Sequence, residues 1–364
     1  MPKPKTLLRE AKAKKKRKQV APESADEFLA EGVDLEEAGE KWRAGDPVKS
    51  MRFFMRAIEM YDTGLHRFPT SFDLAYNKAR VQYEITQHPK LVTQLPGPIL
   101  DILRIALTSH REALKKEQDN VDILFNTAQV LTSVAEAITE GKRAGEEQTE
   151  EALRNLTEAL ELFQRCLVLQ ELKFTEYEEQ LQMMKDGGPE HQLQQELQEQ
   201  NSGGEPRSAT GSGSGSGPGS TEAEEWAAVI EPVTKNTLID TAIAQLEALA
   251  TLCGLLTSDP GSSLAWVEEY SSDLLREKIA AYVQGTDRAN EVAIARAKFL
   301  SILLEVTYRS GRIDLDTYKH ELDSAFSNGV DVSQVPAGLC NQAEALVGFN
   351  SAIADFHPTA GVDG

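Results

Sequence analysis

Five consecutive cations, Lys14, Lys15, Lys16, Arg17 and Lys18, form the densest run of one chemistry in the sequence. Such a strip fits an acidic, tryptophan-lined receptor groove and has the form of a nuclear import signal; it also fits a solvating or RNA-binding tail. The other reactive side chains are dispersed. His66, His88, His110, His191, His320 and His357 are scattered, and the sequence has no Gly-x-Ser-x-Gly, no His-Glu-x-x-His and no phosphate-cradling glycine loop. Cys166, Cys253 and Cys340 lie 87 residues apart in both intervals, none at metal-ligand spacing. Each falls in an apolar helical context and is expected as a buried thiol in a reducing compartment. No catalytic residue, metal site or cofactor is assigned, and the chain is read as a non-enzyme.

Charge is distributed unevenly. Residues 1–20 hold nine Lys or Arg against Glu10, a net of +8, so the other 344 residues carry −28 of a formal total of −20. A body of that sign repels nucleic acid and anionic lipid and attracts basic partners over a Debye length of about 8 Å at physiological salt. No membrane and no direct nucleic acid contact are expected of the folded body. No stretch approaches the roughly 20 consecutive apolar residues of a bilayer span, and the start lacks the apolar core of a secretory signal. The chain is expected in the nucleus and cytoplasm.

The elements that must carry this charge are helices. Ser50, Phe54, Ala57 and Ile58 share a spacing with Ala106, His110, Ala113 and Leu114, and with Ala159, Phe163, Cys166 and Leu167. Small residues at helical spacing let two helices approach, and a ring between them fills the remaining groove. Each segment reads as the second helix of an antiparallel pair, and recurrence about every 50 residues predicts a stack of pairs. Residues 26–43 and 48–66 form the first pair around Gly45, Asp46 and Pro47. Ser71 opens the second, in a helix carrying Ala75, Ala79 and Tyr83; residues 87–98 should project from the stack before its partner begins. The third pair joins a helix from about Val121 to one over 147–170, and a separate helix over 174–185 covers that end.

Residues 1–25 are expected to be a disordered basic tail, 26–185 the helical repeats, and 186–222 a flexible Gly/Ser/Gln-rich linker or loop. Helical pairs resume over 223–356, with helices near 237–256, 262–282, 289–308, 315–326 and 339–356. The last is read as the terminal cap, and 357–364 as a disordered tail.

These residues resemble tetratricopeptide repeats, best over residues 34–170. The resemblance implies an all-α, right-handed superhelix of antiparallel helix pairs with a concave groove. In that family an Asn two residues before the small residue of the inner helix commonly binds a peptide backbone, which places Asn77 and Asn126 in the groove; facing solvent is the alternative. Asp73, Glu84, Asp119 and Asp122 flank these helices and are candidate client-binding acids, or simply a solvated face. Tyr76 and Trp226 could stack on guanidinium groups, whereas Tyr83 and Phe125 are expected in the core. The family's clamp for chaperone C-termini needs cations where this chain has Leu35, Gly39, Asp122 and Asn126.

The chain is also similar to the fungal dedicated assembly chaperones of large-subunit ribosomal protein number four. That resemblance implies a basic ribosomal protein client, shielded in an acidic groove and accompanied to the nucleus through an import receptor. A scaffold or adaptor subunit of a larger complex is the alternative reading.

Overall fold

The computed structural model describes residues 21–140, 145–185, 232–256, 261–327, 329–333 and 335–355. Every regular element among them is a helix. Lys14 to Lys18, Trp226 and the segment 186–222 lie outside the described residues. The chain divides into two compact units at Gly97 and Pro98.

In the first unit, α1 (Ala25–Arg43) starts at a reciprocal cap: the Ser24 hydroxyl accepts from the Glu27 amide at 3.2 Å, and the Glu27 carboxylate accepts from the Ser24 amide at 3.4 Å. Arg67 donates to the Pro22 carbonyl at 2.7 Å, so residues 22–24 belong to the fold although the sequence assigns them to the tail. After a turn at Gly45, α2 (Pro47–Arg67) opens with Asp46 as its cap and Pro47 in its first turn. The two helices approach closely because glycines face rings. A methyl group on Gly32 would overlap the Tyr61 ring, and one on Gly39 would lie 3.0 Å from Phe54. The Ser50 hydroxyl seals this contact by donating to the Gly39 carbonyl at 2.7 Å.

Helix α3 (Phe72–Gln87), capped by Ser71, packs on α2. Residues 87–98 do not project as expected. They form the short α4 (Pro89–Val92), whose Leu91 is fully buried against the unit. An apolar side chain in an otherwise polar connection supplies the reason: burying a leucine is worth about 2 kcal/mol.

The second unit begins with α5 (Ile99–Lys116), α6 (Val121–Thr139) and α7 (Glu146–Lys185). The recurring pattern is its packing code: Ala106, His110, Ala113, Ala159, Cys166 and Leu167 are fully buried, as are Ser50, Phe54 and Ala57 in the first unit. Cys166 donates to the Val121 carbonyl at 3.4 Å, and burial pushes its thiol up to about 12. Two helices expected over 147–170 and 174–185 are one continuous helix of 40 residues. Glu171, Leu172 and Lys173 are all good helix formers, so nothing between them stops the helix.

Helix α8 (Lys235–Leu255) corrects the expectation of no sufficiently apolar span: it is long and apolar enough to cross a membrane. Here 61% of its most apolar window is buried inside the protein, as in the centre of a bundle. It packs on α7 and on α11 (Ala289–Arg309). Between them, α9 (Gly261–Asp273) passes through a π-helical turn, Leu274–Lys278, into α10 (Ile279–Val283). Helices α12 (Leu315–Ser327) and α13 (Pro336–Asp355) complete the unit around Tyr318, whose ring lies between Tyr308 and Phe349. On α13, Leu339, Leu346 and Val347 remain exposed, and so does Cys340, which the sequence reading expects to be buried. Cys166 and Cys253 face the core; Cys340 falls on the side of its helix that no described element covers.

Candidate functional site

The predicted site residues fall in both units and are taken unit by unit. On α3, Asp73 is exposed in the first turn, and its backbone carbonyl accepts from the Asn77 amide at 2.9 Å. The other end of Asn77 accepts from Arg80 at 3.3 Å. Tyr76 is half-buried and stacks on Phe72 with centroids 5.6 Å apart. Arg80 also grips Glu84 at 3.3 Å, and Arg43 reaches the same carboxylate at 3.0 Å. Glu84 is therefore neutralised by two guanidinium groups within its own unit. Behind it, Arg80 pairs with Glu36, which also accepts from the Tyr61 hydroxyl. Burial pushes the Glu36 carboxyl above its ordinary range, against the opposing pull of Tyr61 and Arg80. In this unit, Asn77 and Glu84 build an internal polar network.

A row of exposed acids in this unit lies on α1, which the sequence reading passed over. Asp26, Asp34, Glu37 and Glu40 are exposed at intervals of eight, three and three residues, a strip along the solvent side of the helix. The opposite side carries Phe28, Gly32, Glu36 and Gly39, all buried.

In the second unit, Asp119 pairs with Arg165 at 2.5 Å, so its charge is also spent internally. Phe125 meets the Phe163 ring edge-on at 5.6 Å, as expected of a core residue. Asp122 and Asn126 begin a continuous polar strip down α6 through Gln129, Ser133, Glu136 and Glu140. Asp122, Glu136 and Glu140 are exposed, and the other three are half-buried. The strip follows from sequence spacing: these positions recur at four and three residues, while Leu124, Ala128, Leu131 and Ala135 occupy the buried flank. Asn120 caps the helix and receives the Asp122 and Ile123 amides at 3.0 and 3.3 Å. Asp122 then places its negative charge in the first turn, where the helix dipole favours it.

Helix α8 extends the same surface. Thr251 donates to Glu136 at 3.5 Å, and Glu247 stands one turn before Thr251. Desolvation raises the Glu136 carboxyl above its usual range; the charge of Glu247 and, more weakly, that of Glu140 add to this, while Lys298 and Thr251 oppose it. Among the described residues, no cation forms an ion pair with Asp122, Glu136, Glu140 or Glu247. The α5 and α7 surfaces differ. Arg104 pairs with Glu151 at 2.8 Å and Arg111 with Glu158 at 2.5 Å. Glu151 and Glu158 thus meet cations of the same unit, whereas the four carboxylates of the α6–α8 strip form no ion pair with a described cation. The sequence reading located Asp122 and Asn126 and missed Glu136, Glu140 and Glu247. Extending the helical spacing beyond Asn126 would have found the first two. Glu247 needed the α6–α8 contact, which joins residues more than a hundred positions apart.

No group of His, Cys, Asp and Glu among the described residues has an arrangement that could hold a metal ion. His110 is fully buried, its Nδ1 2.8 Å from the Ala106 carbonyl, and desolvation pulls it down to about 4. It occupies the ring position of the packing pattern and is neutral near pH 7.

No family model matches the sequence. UPF0656 protein C926.02 of Schizosaccharomyces pombe is 30% identical over 176 residues, which cover 48% of this chain and 37% of that relative's length. A solved structure of Nro1, described as the hypoxic regulator of sterol synthesis and a nuclear import adaptor, aligns over 88% of this chain and 94% of its own at 10% identity and a TM-score of 0.34.

Proposed function

We propose that this chain is an adaptor that holds a basic protein segment along the acidic strip of α6 and α8, as a dedicated chaperone does for its client. One observation carries the reading: Asp122, Glu136, Glu140 and Glu247 share a surface without ion pairs to described cations, while Glu151 and Glu158 on α7 are paired. Lysine and arginine side chains satisfy such a row. The half-buried amide of Gln129 offers a donor and an acceptor to the backbone of an extended chain. The Lys/Arg-rich extension of a newly made ribosomal protein has this chemistry. The resemblance noted above makes large-subunit protein number four the first client to test. Release follows from competition, since ribosomal RNA presents denser negative charge than the strip. The run Lys14 to Lys18 would engage an import receptor and take the loaded adaptor to the nucleus.

Two measurements test this. Nascent chains recovered with the protein during synthesis should be dominated by one basic ribosomal protein, and recovery of heat-shock chaperones alone would overturn the reading. Binding of that segment should weaken by at least tenfold between about 50 and 200 mM salt; an affinity indifferent to salt would reject the strip as its seat.

A scaffold role has its own support in α13, whose exposed Leu339, Leu346 and Val347 suit an apolar partner. Binding through that face would persist at high salt and fail when Val347 is replaced by Glu.

A further inference from the structure

A groove of about 510 Å³ opens in the second unit between α7 and α9, with no α6 residue in its lining. Its floor is apolar: Leu169 and Val168, the latter 50% exposed, face Trp266 and Tyr270. The two rings lie one helical turn apart with centroids separated by 5.1 Å. The Tyr270 hydroxyl donates to the Leu160 carbonyl at 2.8 Å, which fixes this wall to α7. Two charged groups stand at the mouth, Glu161 and Arg165. Arg165 is held by Asp119 at 2.5 Å, so its charge is balanced. Glu161 has no ion pair among the described residues, and its charge reaches Tyr270 strongly enough to push that hydroxyl further up.

We propose that this groove docks an arginine side chain of a basic partner segment, with the guanidinium plane on Trp266 and its charge against Glu161. Charge complementarity selects the occupant. An arginine joins a three-carbon apolar stem to a flat, weakly hydrated cation, which matches an apolar floor, an indole wall and one free carboxylate. An apolar side chain would fill the floor and leave Glu161 unused. A lysine would bring charge without a plane to stack. This site is separate from the α6–α8 strip and gives an arginine-bearing partner a second point of attachment, with the gain in avidity that linkage brings.

The chain has 3 tryptophans, so replacing Trp42 and Trp226 by Phe leaves Trp266 as the sole indole reporter. The full-length protein in that background is titrated with a ten-residue peptide alternating arginine and glycine, and with its lysine twin. A saturable change in Trp266 emission is expected, at least fivefold tighter for arginine and about tenfold weaker after Glu161→Gln. The double variant Glu136→Gln/Glu247→Gln should leave the response intact while weakening the salt-sensitive binding described above. No saturable response, an equal response to lysine, or a response lost in the α6–α8 variant instead of Glu161→Gln would each overturn the proposal. Helical content by circular dichroism separates loss of binding from loss of fold.

Discussion

Arg80 joins Glu36, a carboxylate that is only 5% exposed, across 44 positions of sequence. The same guanidinium holds Glu84 and Asn77. A buried carboxylate tolerates burial only while its partners are present, so this pair is a condition of the first unit's fold. Replacing Arg80 with Met should destabilise the unit by about 3 kcal/mol, the low end for a broken buried pair because the arginine is one-third exposed. Asn77→Ala should cost under about 1 kcal/mol, since its hydrogen bonds lie at the edge of the network. Urea unfolding of both variants checks the order, and equal effects would contradict it.

The helices were legible in the sequence wherever small residues, rings and caps recurred. Ser50, Phe54 and Ala57 are buried as their spacing requires, and Asp46 and Ser71 cap the helices they precede, whereas the cap at Ser24 was hidden by its place beside the basic tail. Long-range partnership was not legible. Asp119 read as a free acid because Arg165, 46 positions away, is too distant for any local pattern to reveal, and Arg43, 41 positions from Glu84, was hidden in the same way, although Arg80 stands at pairing distance one turn before Glu84. The π-helical turn at Leu274–Lys278 has no sequence signature of its own. Its Lys278 reaches Glu171 on α7 at 3.0 Å, a tertiary contact found only after folding.

Leu91 decides whether residues 88–98 are part of the first unit or a free connection. Fully buried on a helix of four residues, it has little local structure to hold it except its own packing. Leu91→Ala should cost about 3 kcal/mol, within the range for leucine truncation in a core. It should also make the segment around Gly97 a new site of limited proteolysis. An unchanged cleavage pattern would mean that the connection is held by Lys90, which donates to the Ala44 carbonyl at 2.9 Å, and by the Arg43–His88 contact at 2.8 Å.

His110 makes the packing pattern testable by pH. Its folded value of about 4 lies below the ordinary 6.5, so the unfolded chain binds more protons between those limits. Stability should rise as pH increases from 4 to 6.5 and fall on the return, by about 3 kcal/mol for this group. His110→Phe, which restores the ring type of Phe54 and Phe163, should abolish that part of the slope. The check is the difference in denaturation free energy between parent and variant at pH 4.5 and 6.5. A slope unchanged by the substitution would assign it to other groups.

Glu136 should give the opposite sign. Its carboxyl is raised in the folded state by desolvation and by Glu247, so just above its ordinary value of 4.5 the folded chain holds a proton that the unfolded chain releases. Stability from this group is therefore greatest at low pH and declines as pH rises through that window. Binding of a basic segment runs the other way, because the cation needs the ionised carboxylate and its own charge favours losing the proton. Affinity should rise through the same window, with a proton released on binding; Glu136→Gln should flatten both dependences and weaken binding at neutral pH by about tenfold, the cost of one charge-assisted hydrogen bond. Calorimetry in two buffers of different ionisation enthalpy reads the released proton directly. Its absence in the parent protein would remove Glu136 from the binding surface, whatever the affinity.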